Sequence, residues 1–185
     1  MIYRLPTTLN VNGKDWKIRT DFRDVMTVIY ALNDPNLENK EKAYIVLYIM
    51  YEDFDDMGDS DYKAAFDAAC AFINHGSKGE KASKAKMIDF EQDEHILVPA
   101  VNRIAGQDVR GMDYLHWWTF LGYFMEIGEC TYSHVLNIRQ KRAKGKQMDK
   151  WEMEFFANNK DLIIIQDKLS DDEIEEYEEI KKLLE

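Results

Sequence analysis

The chain has 185 residues, with 24 basic and 35 acidic side chains and so a formal net charge of -11. Hydrophobic residues at 45% and aromatics at 12% exclude an intrinsically disordered chain, and the acidic balance argues against a surface that binds nucleic acid by releasing phosphate counterions. Nine Gly and three Pro are too few for the many turns of a sandwich or barrel, so the composition predicts a mainly α, multi-helix globular fold.

The N-terminus is the exception. Two short extended runs flank Asn12-Gly13, a pair that tolerates positive φ at both positions, and predict a small N-terminal β-hairpin. From Asp21, which is placed to cap, Phe22, Val25, Met26 and Ile29 mark one helical face. Asn33-Asp34-Pro35-Asn36 breaks that helix, and a second is expected from about Leu37 to Phe54, apolar on all sides in its middle. Its nine-residue apolar run, Ala43 to Tyr51, is the longest in the chain and far short of the ~20 residues a membrane-spanning helix needs.

Asp53, Asp55, Asp56, Asp59 and Asp61 then crowd a turn, with Asp59 or Ser60 expected to cap a helix whose face is Tyr62, Ala65, Phe66, Ala69, Phe72 and Ile73. A Lys-, Gly- and Ser-rich stretch from His75 to Lys86 reads as a flexible linker. Next comes a helix with Phe90, Leu97, Val101 and Ile104 in one stripe, expected to kink at Pro99 and end at Gly106. The segment from Asp113 to Gly128 predicts a helix with Leu115, Trp118, Leu121 and Met125 on one face and Trp117, Phe120 and Phe124 beside them. Thr131 is expected to cap a helix bearing Tyr132, Val135, Leu136 and Ile138, which leads into a basic run from Arg139 to Lys150. A helix over Asp149–Asn159 and an acidic one, opened by the capping box Ser170 to Glu173, complete the chain. Residues 1–74 thus read as hairpin plus helices, 75–87 as linker, 88–165 as a second helical half and 166–185 as an acidic C-terminal helix, in one domain or two closely packed halves.

Catalytic and metal-binding patterns are missing from the sequence. The Asp cluster fits a twelve-residue calcium loop at Asp53, Asp55 and Gly58, but Met57 and Ala64 fall where ligands are required. The four histidines lack zinc-site spacing, Cys70 and Cys130 cannot build a disulfide framework, and no phosphate-binding glycine motif or nucleophile elbow appears. No catalytic residue, metal or cofactor is therefore assigned, and a reduced cytosolic setting is expected, because the N-terminus lacks a leader pattern. What the residues favour is an interaction protein. Tyr44, Tyr48 and Tyr51, with Trp117 and Trp118, are too widely spread around their helices all to face one core, and Arg139, Lys141 and Arg142 could guide a partner electrostatically. For the basic run as a whole, a solvated loop is preferred to a phosphate contact.

The order of several residues resembles the bacteriophage "gene product fifteen" family. Asp89-Phe90 and Asp93 are followed by Gln107-Asp108, His116-Trp117-Trp118 with Phe120, Thr131 and Ile138-Arg139. Upstream, a hairpin with Trp16, then Asp21-Phe22-Arg23, Leu37 and Lys42 extend the similarity to about residues 10–165. Pro99 and the acidic extension after Lys168 depart from the pattern. The resemblance implies a tail assembly chaperone that binds the tape measure protein in the host cytoplasm and is absent from the mature virion, with no catalysis, metal or nucleotide; a homo-oligomer is expected with it, and neither nucleic acid nor membrane is expected as a partner. A structural virion component, such as a tail or head-completion protein, is the alternative, and an unrecognised enzyme the third.

Overall fold

A computed structural model of the chain describes residues 4–75, 87–166 and 170–173. It is mainly α-helical with one small antiparallel hairpin, and it divides into two compact units, one of residues 1–77 with 167–185 and the other of residues 78–166.

In the first unit β1 (Thr8–Val11) pairs with β2 (Lys14–Lys17) so that Val11 faces Lys14 across a two-residue loop. Asn12 at φ 50° and Gly13 at φ 89° occupy that loop, the left-handed geometry whose twist matches the flanking strands. Trp16 and Val11 point into the core. Asp21 caps α1 (Phe22–Leu32) by accepting from the Arg23 amide at 2.9 Å, and Phe22, Val25, Met26 and Val28 are buried. Val28, rather than the expected Ile29, completes the inner face.

The second helix is shorter than its hydrophobicity suggests. α2 spans Asn39–Met50, and the chain then turns extended, with Tyr51 bridged to Ile18. Two interactions set this end. The Arg19 amide donates to the Met50 carbonyl at 2.8 Å, and Arg19 Nη1 reaches the carbonyls of Tyr48, Ile49 and Tyr51 at 3.0, 2.7 and 3.1 Å. A guanidinium on the last carbonyls satisfies the acceptors that a helix leaves open at its C-terminus. Two 3-10 turns, Phe54–Asp56 and Asp59–Asp61, lead into α3 (Tyr62–Ile73). Neither Asp59 nor Ser60 caps it as expected: the 3-10 turn runs directly into the helix, and Asp61 accepts instead from Asn12 Nδ2 of the hairpin loop at 2.7 Å. Ala65, Ala69 and Phe72 form its buried face.

The described part of the second unit, from Met87, opens on a turn, not a helix. Asp89 accepts from the amides of Glu91 and Gln92, both at 3.0 Å, and α4 (Glu94–Ala105) starts only after it. α4 passes through Pro99 and ends at Gly106 in the left-handed conformation, with Ile104 outside the core. α5 (Trp117–Met125) is capped by His116, whose Nδ1 accepts from the Trp118 amide at 3.0 Å. Its inner face is Trp117, Phe120 and Leu121, with Leu115 buried just before the helix as expected, whereas Met125 is exposed and Trp118 half-buried, so Trp117 and Phe120 take the place expected for those two. α6 (Thr131–Ala143) takes Cys130, not Thr131, as its N-cap, with Ser133 Oγ accepting from the Cys130 amide at 2.9 Å.

The first five residues of the expected basic loop are the last turn of α6. Gly145 at φ 61° closes it, its amide donating to Arg142 O at 3.1 Å while that of Lys146 reaches Lys141 O at 2.8 Å, the paired bonds of a Schellman motif. α7 (Lys150–Asn158) opens on a capping box between Asp149 and Glu152, and the short α8 (Lys160–Ile163) follows. Val135, Ile138 and Ile163 form one core cluster of this unit, with Ile96, Met148, Phe155, Phe156 and Leu162 against them.

The expected linker falls, from residue 76 to 86, outside the described residues, as does the C-terminal helix beyond Glu173. The capping box that opens that helix is present, with Glu173 Oε2 accepting from the Ser170 amide at 2.7 Å and Ser170 Oγ from the Glu173 amide at 3.3 Å.

Candidate functional site

Beyond the first turn of α2, where Asn39, Lys40 and Glu41 are exposed, the residues open to solvent are Tyr44 and Tyr48. Tyr44 and Tyr48, four residues apart and so on one helical face, stack with ring centroids 5.9 Å apart and planes 12° from parallel. Each is 56% exposed. Both meet Phe54 edge-on, at 5.5 and 6.2 Å, and Phe54 in turn packs against Tyr62 at 5.5 Å. Phe54 is itself buried, held in place by the 3-10 turn that carries it. The result is a contiguous ring cluster: a buried keystone, one flanking tyrosine and two stacked rings presented to solvent. Edge-on and offset arrangements of this kind are favoured by the ring quadrupoles.

Carboxylates border the cluster. Residues 52–61 contain Glu52, Asp53, Asp55, Asp56, Asp59 and Asp61 and no base, and all but Asp61 are exposed. Burial, a side-chain hydrogen bond with Asp59 and the negative field of Asp59, Tyr44 and Asp55 push the Tyr62 hydroxyl above its ordinary range.

The third tyrosine does not join this face. Tyr51 is fully buried and its hydroxyl donates to the Ala65 carbonyl at 2.7 Å, tying the end of α2 to α3, so its expected role as an exposed contact is corrected. Burial drives its pKa strongly upward. Sequence spacing misplaced it because α2 ends at Met50, and the extended backbone after that point turns the ring inward.

Trp117 is likewise internal, 2% exposed and stacked on Phe120 at 5.6 Å, with Phe90 against its edge at 6.4 Å. Trp118 is half-buried and lies edge-on to His116. Arg139 is the largest correction. It is not a surface charge but the centre of a buried network, pairing with Asp93 through two bonds of 2.7 Å. Its remaining donors reach the carbonyls of Ile163 at 2.9 Å, Met87 at 3.0 Å and Leu162 at 2.6 Å. The planar fork of a guanidinium can satisfy all of these at once, which an ammonium cannot. Gln92 makes a second tie to the same segment, donating to Asp161 O and Ile164 O and accepting from the Gln166 amide.

Lys141 is engaged too. Its Nζ lies 2.5 and 2.6 Å from the Glu152 carboxylate, which also accepts from Asn137, and Lys141 and the Asp149 amide hold that carboxyl below its usual range. Arg142 is exposed, its guanidinium 4.3 Å over the Phe156 ring. Of the basic run, Arg142, Lys144, Lys146 and Lys150 face solvent.

The residues that carry the family resemblance are therefore mostly those that hold the second unit together. Asp93 and Arg139 are the buried pair, His116 caps α5, Trp117 and Phe120 fill the core, and Asp108 caps a 3-10 turn at Val109–Gly111. Another exposed aromatic, Trp151, stacks on Phe155 at 5.2 Å with His134 against it at 4.9 Å. A cleft of about 290 Å³ between α4 and α6 is lined by His95, Pro99, Arg103, Cys130 and Tyr132 among others. Among the described residues no three His, Cys, Asp or Glu side chains converge to hold a metal ion, and no helix is long and apolar enough to cross a membrane.

Sequence reasoning named Tyr44 and Tyr48 but missed Phe54 and Tyr62 as their support. The signal was present: an aromatic inside an acidic turn, unlike its neighbours, has a packing reason to be there. A family model described as bacteriophage Gp15 protein matches residues 1–164. No curated protein and no solved structure matches the chain.

Proposed function

We propose that this chain, which belongs to the bacteriophage Gp15 protein family, is a tail assembly chaperone. In this reading it binds the tape measure protein in the host cytoplasm, keeps that long partner soluble and leaves as tail-tube subunits polymerise. Several self-associating copies coat one partner, so that weak individual contacts add up to stable cover and still allow release.

One observation carries the reading: a phage-family protein leaves two stacked tyrosines, Tyr44 and Tyr48, on an open helix face above a buried Phe54. Preorganised aromatic surface of this type contributes strongly to protein interfaces, since its rings have little conformational freedom left to lose. The face suits an amphipathic helix laid against it.

Co-expression with a fragment of the tape measure protein from the same phage tests this. The fragment should stay soluble and co-elute with the chain, and Tyr44→Ala with Tyr48→Ala should cut recovery about tenfold or more. A fragment that remains insoluble, with no complex on gel filtration, would overturn the chaperone role. Stoichiometric amounts of the chain in purified virions would favour a structural component instead.

A further inference from the structure

We infer that the segment docking on the Tyr44–Tyr48 face is a cationic amphipathic helix, with Lys or Arg placed beside its apolar stripe. This rests on the docking role proposed above and adds the chemistry of what docks.

The argument starts from geometry. The exposed rings stand 5.9 Å apart along α2, close to the ~5.4 Å of one helical turn, so residues one turn apart on an opposing helix can settle over and between them. Both rings pack against the buried Phe54 and still keep more than half of their surface in solvent. What decides the partner's charge is the border. Glu52, Asp53, Asp55 and Asp56 flank Phe54 in sequence and are exposed, as is Asp59, whose side chain bonds to that of Tyr62, and these five acids outnumber the exposed bases nearest the rings in sequence, Lys40 and Lys63. A helix with acidic flanks would bring like charges together over a surface where contact excludes water, which disfavours it. Lys or Arg flanks meet the carboxylates with their charged heads, lay their aliphatic stems along the apolar rings and gain cation–π attraction from the tyrosine faces. The aromatic cluster supplies most of the affinity, and the acidic border selects the partner and speeds its approach.

Two synthetic helical peptides with the same Leu/Phe stripe, one flanked by Lys and the other by Glu, test the inference by calorimetric titration of the full chain. At about 20 mM salt the Lys peptide should bind at least tenfold more tightly than the Glu peptide, and the gap should narrow by about 300 mM. Asp55→Asn, Asp56→Asn and Asp59→Asn together should abolish most of that preference. Neutralising three exposed acids of the other unit (Glu126→Gln, Glu129→Gln and Glu154→Gln) should leave it intact. Equal losses in the two triple variants would assign the preference to net charge and overturn the inference. Equal binding of both peptides, lost in the Tyr44→Ala, Tyr48→Ala variant, would also overturn it while leaving the docking face in place. A salt-sensitive dimer in sedimentation that the tyrosine variant dissolves would identify a second copy of the chain as the occupant and sink the proposal. The tape measure co-expression result decides the chaperone role independently of all three.

Discussion

In α2, Tyr44 and Tyr48 keep more than half of their surface in solvent, whereas in α5 and α6 the outwardly similar candidates Trp117 and Arg139 are almost fully enclosed. The contrast extends to charge. Around Phe54 the carboxylates are outside and largely without bases near them in sequence, while in the second unit a carboxylate and a guanidinium are inside and bonded to each other. A residue type attractive to partners therefore says little until its backbone neighbours are considered. Arg139 has three carbonyls and a carboxylate waiting for its donors, and Tyr48 has only a stacked ring and an edge.

The largest expected effect breaks the second unit and leaves the first face untouched. Arg139→Met leaves the Asp93 carboxylate buried without its cation and should cost about 3–5 kcal/mol, a large fraction of the ~5–15 kcal/mol that holds a typical domain together. Replacing both partners, Arg139→Met with Asp93→Leu, often restores stability at a simple buried pair. Here it should restore little, because the Ile163, Met87 and Leu162 carbonyls and the Asp89 amide would remain without their bonds. Chemical denaturation of the single, double and Tyr44→Ala, Tyr48→Ala variants checks this. The tyrosine variant should stay within about 0.5 kcal/mol of the parent if its rings are truly peripheral to stability. A double variant as stable as the parent would show that Arg139 acts only as a counter-ion.

Much of the fold was legible in the sequence where the signal is local. Asn12-Gly13, the Asp21 cap, the Gly106 stop and the Ser170 to Glu173 box each depend on a few adjacent residues, and each is found where the chemistry places it. What was not legible depends on distant partners. Nothing within α2 ends it at Met50; Arg19, some thirty residues earlier, does. Arg139 sits in a run of bases that reads as solvated, and only Asp93, on another element, draws it inside. The candidate face was half legible for the same reason: the helical spacing of Tyr44 and Tyr48 is local, but their support by Phe54 and the inward turn of Tyr51 follow from the loop after the helix.

A middle-sized effect probes the basic end of α6, where the second unit returns its charges to solvent. Gly145 at φ 61° meets no atom within 4 Å of a Cβ built on it, so Gly145→Ala pays only for the left-handed backbone, about 1 kcal/mol. Gly145→Asn, whose side chain tolerates that region, should recover part of the loss. Thermal melts of the two variants measure it. A larger loss for both would mean that the turn carries packing in addition to the Lys146 and Gly145 bonds to Lys141 and Arg142.

The smallest effect is a pH dependence in which Asp24 of the first unit and Glu152 of the second act with opposite sign. In the first, Asp24 is raised, by burial and then by Asp21, so the folded state holds its proton more tightly and the stability it contributes is lost as pH rises through the ordinary carboxylate range and on to the raised value. In the second, Glu152 is lowered, by Lys141 and then by the Asp149 amide, so the unfolded chain binds the proton more tightly. Its contribution is complete above the ordinary value of 4.5 and disappears as pH falls through the lowered folded value. Asp108, lowered by Arg110, and Glu173, lowered by Ser170, act in the same direction as Glu152, so the slope of the parent alone cannot be divided among them. The difference between the parent and Glu152→Gln can. Melting temperatures recorded from about pH 7 to about pH 3 should differ most at the upper end and converge at the lower, because a protonated Glu152 resembles the glutamine that replaces it. A gap that stays constant across that range would mean that Glu152 contributes through its neutral hydrogen bonds to Asn137 and the Asp149 amide, and that the Lys141 pair adds nothing.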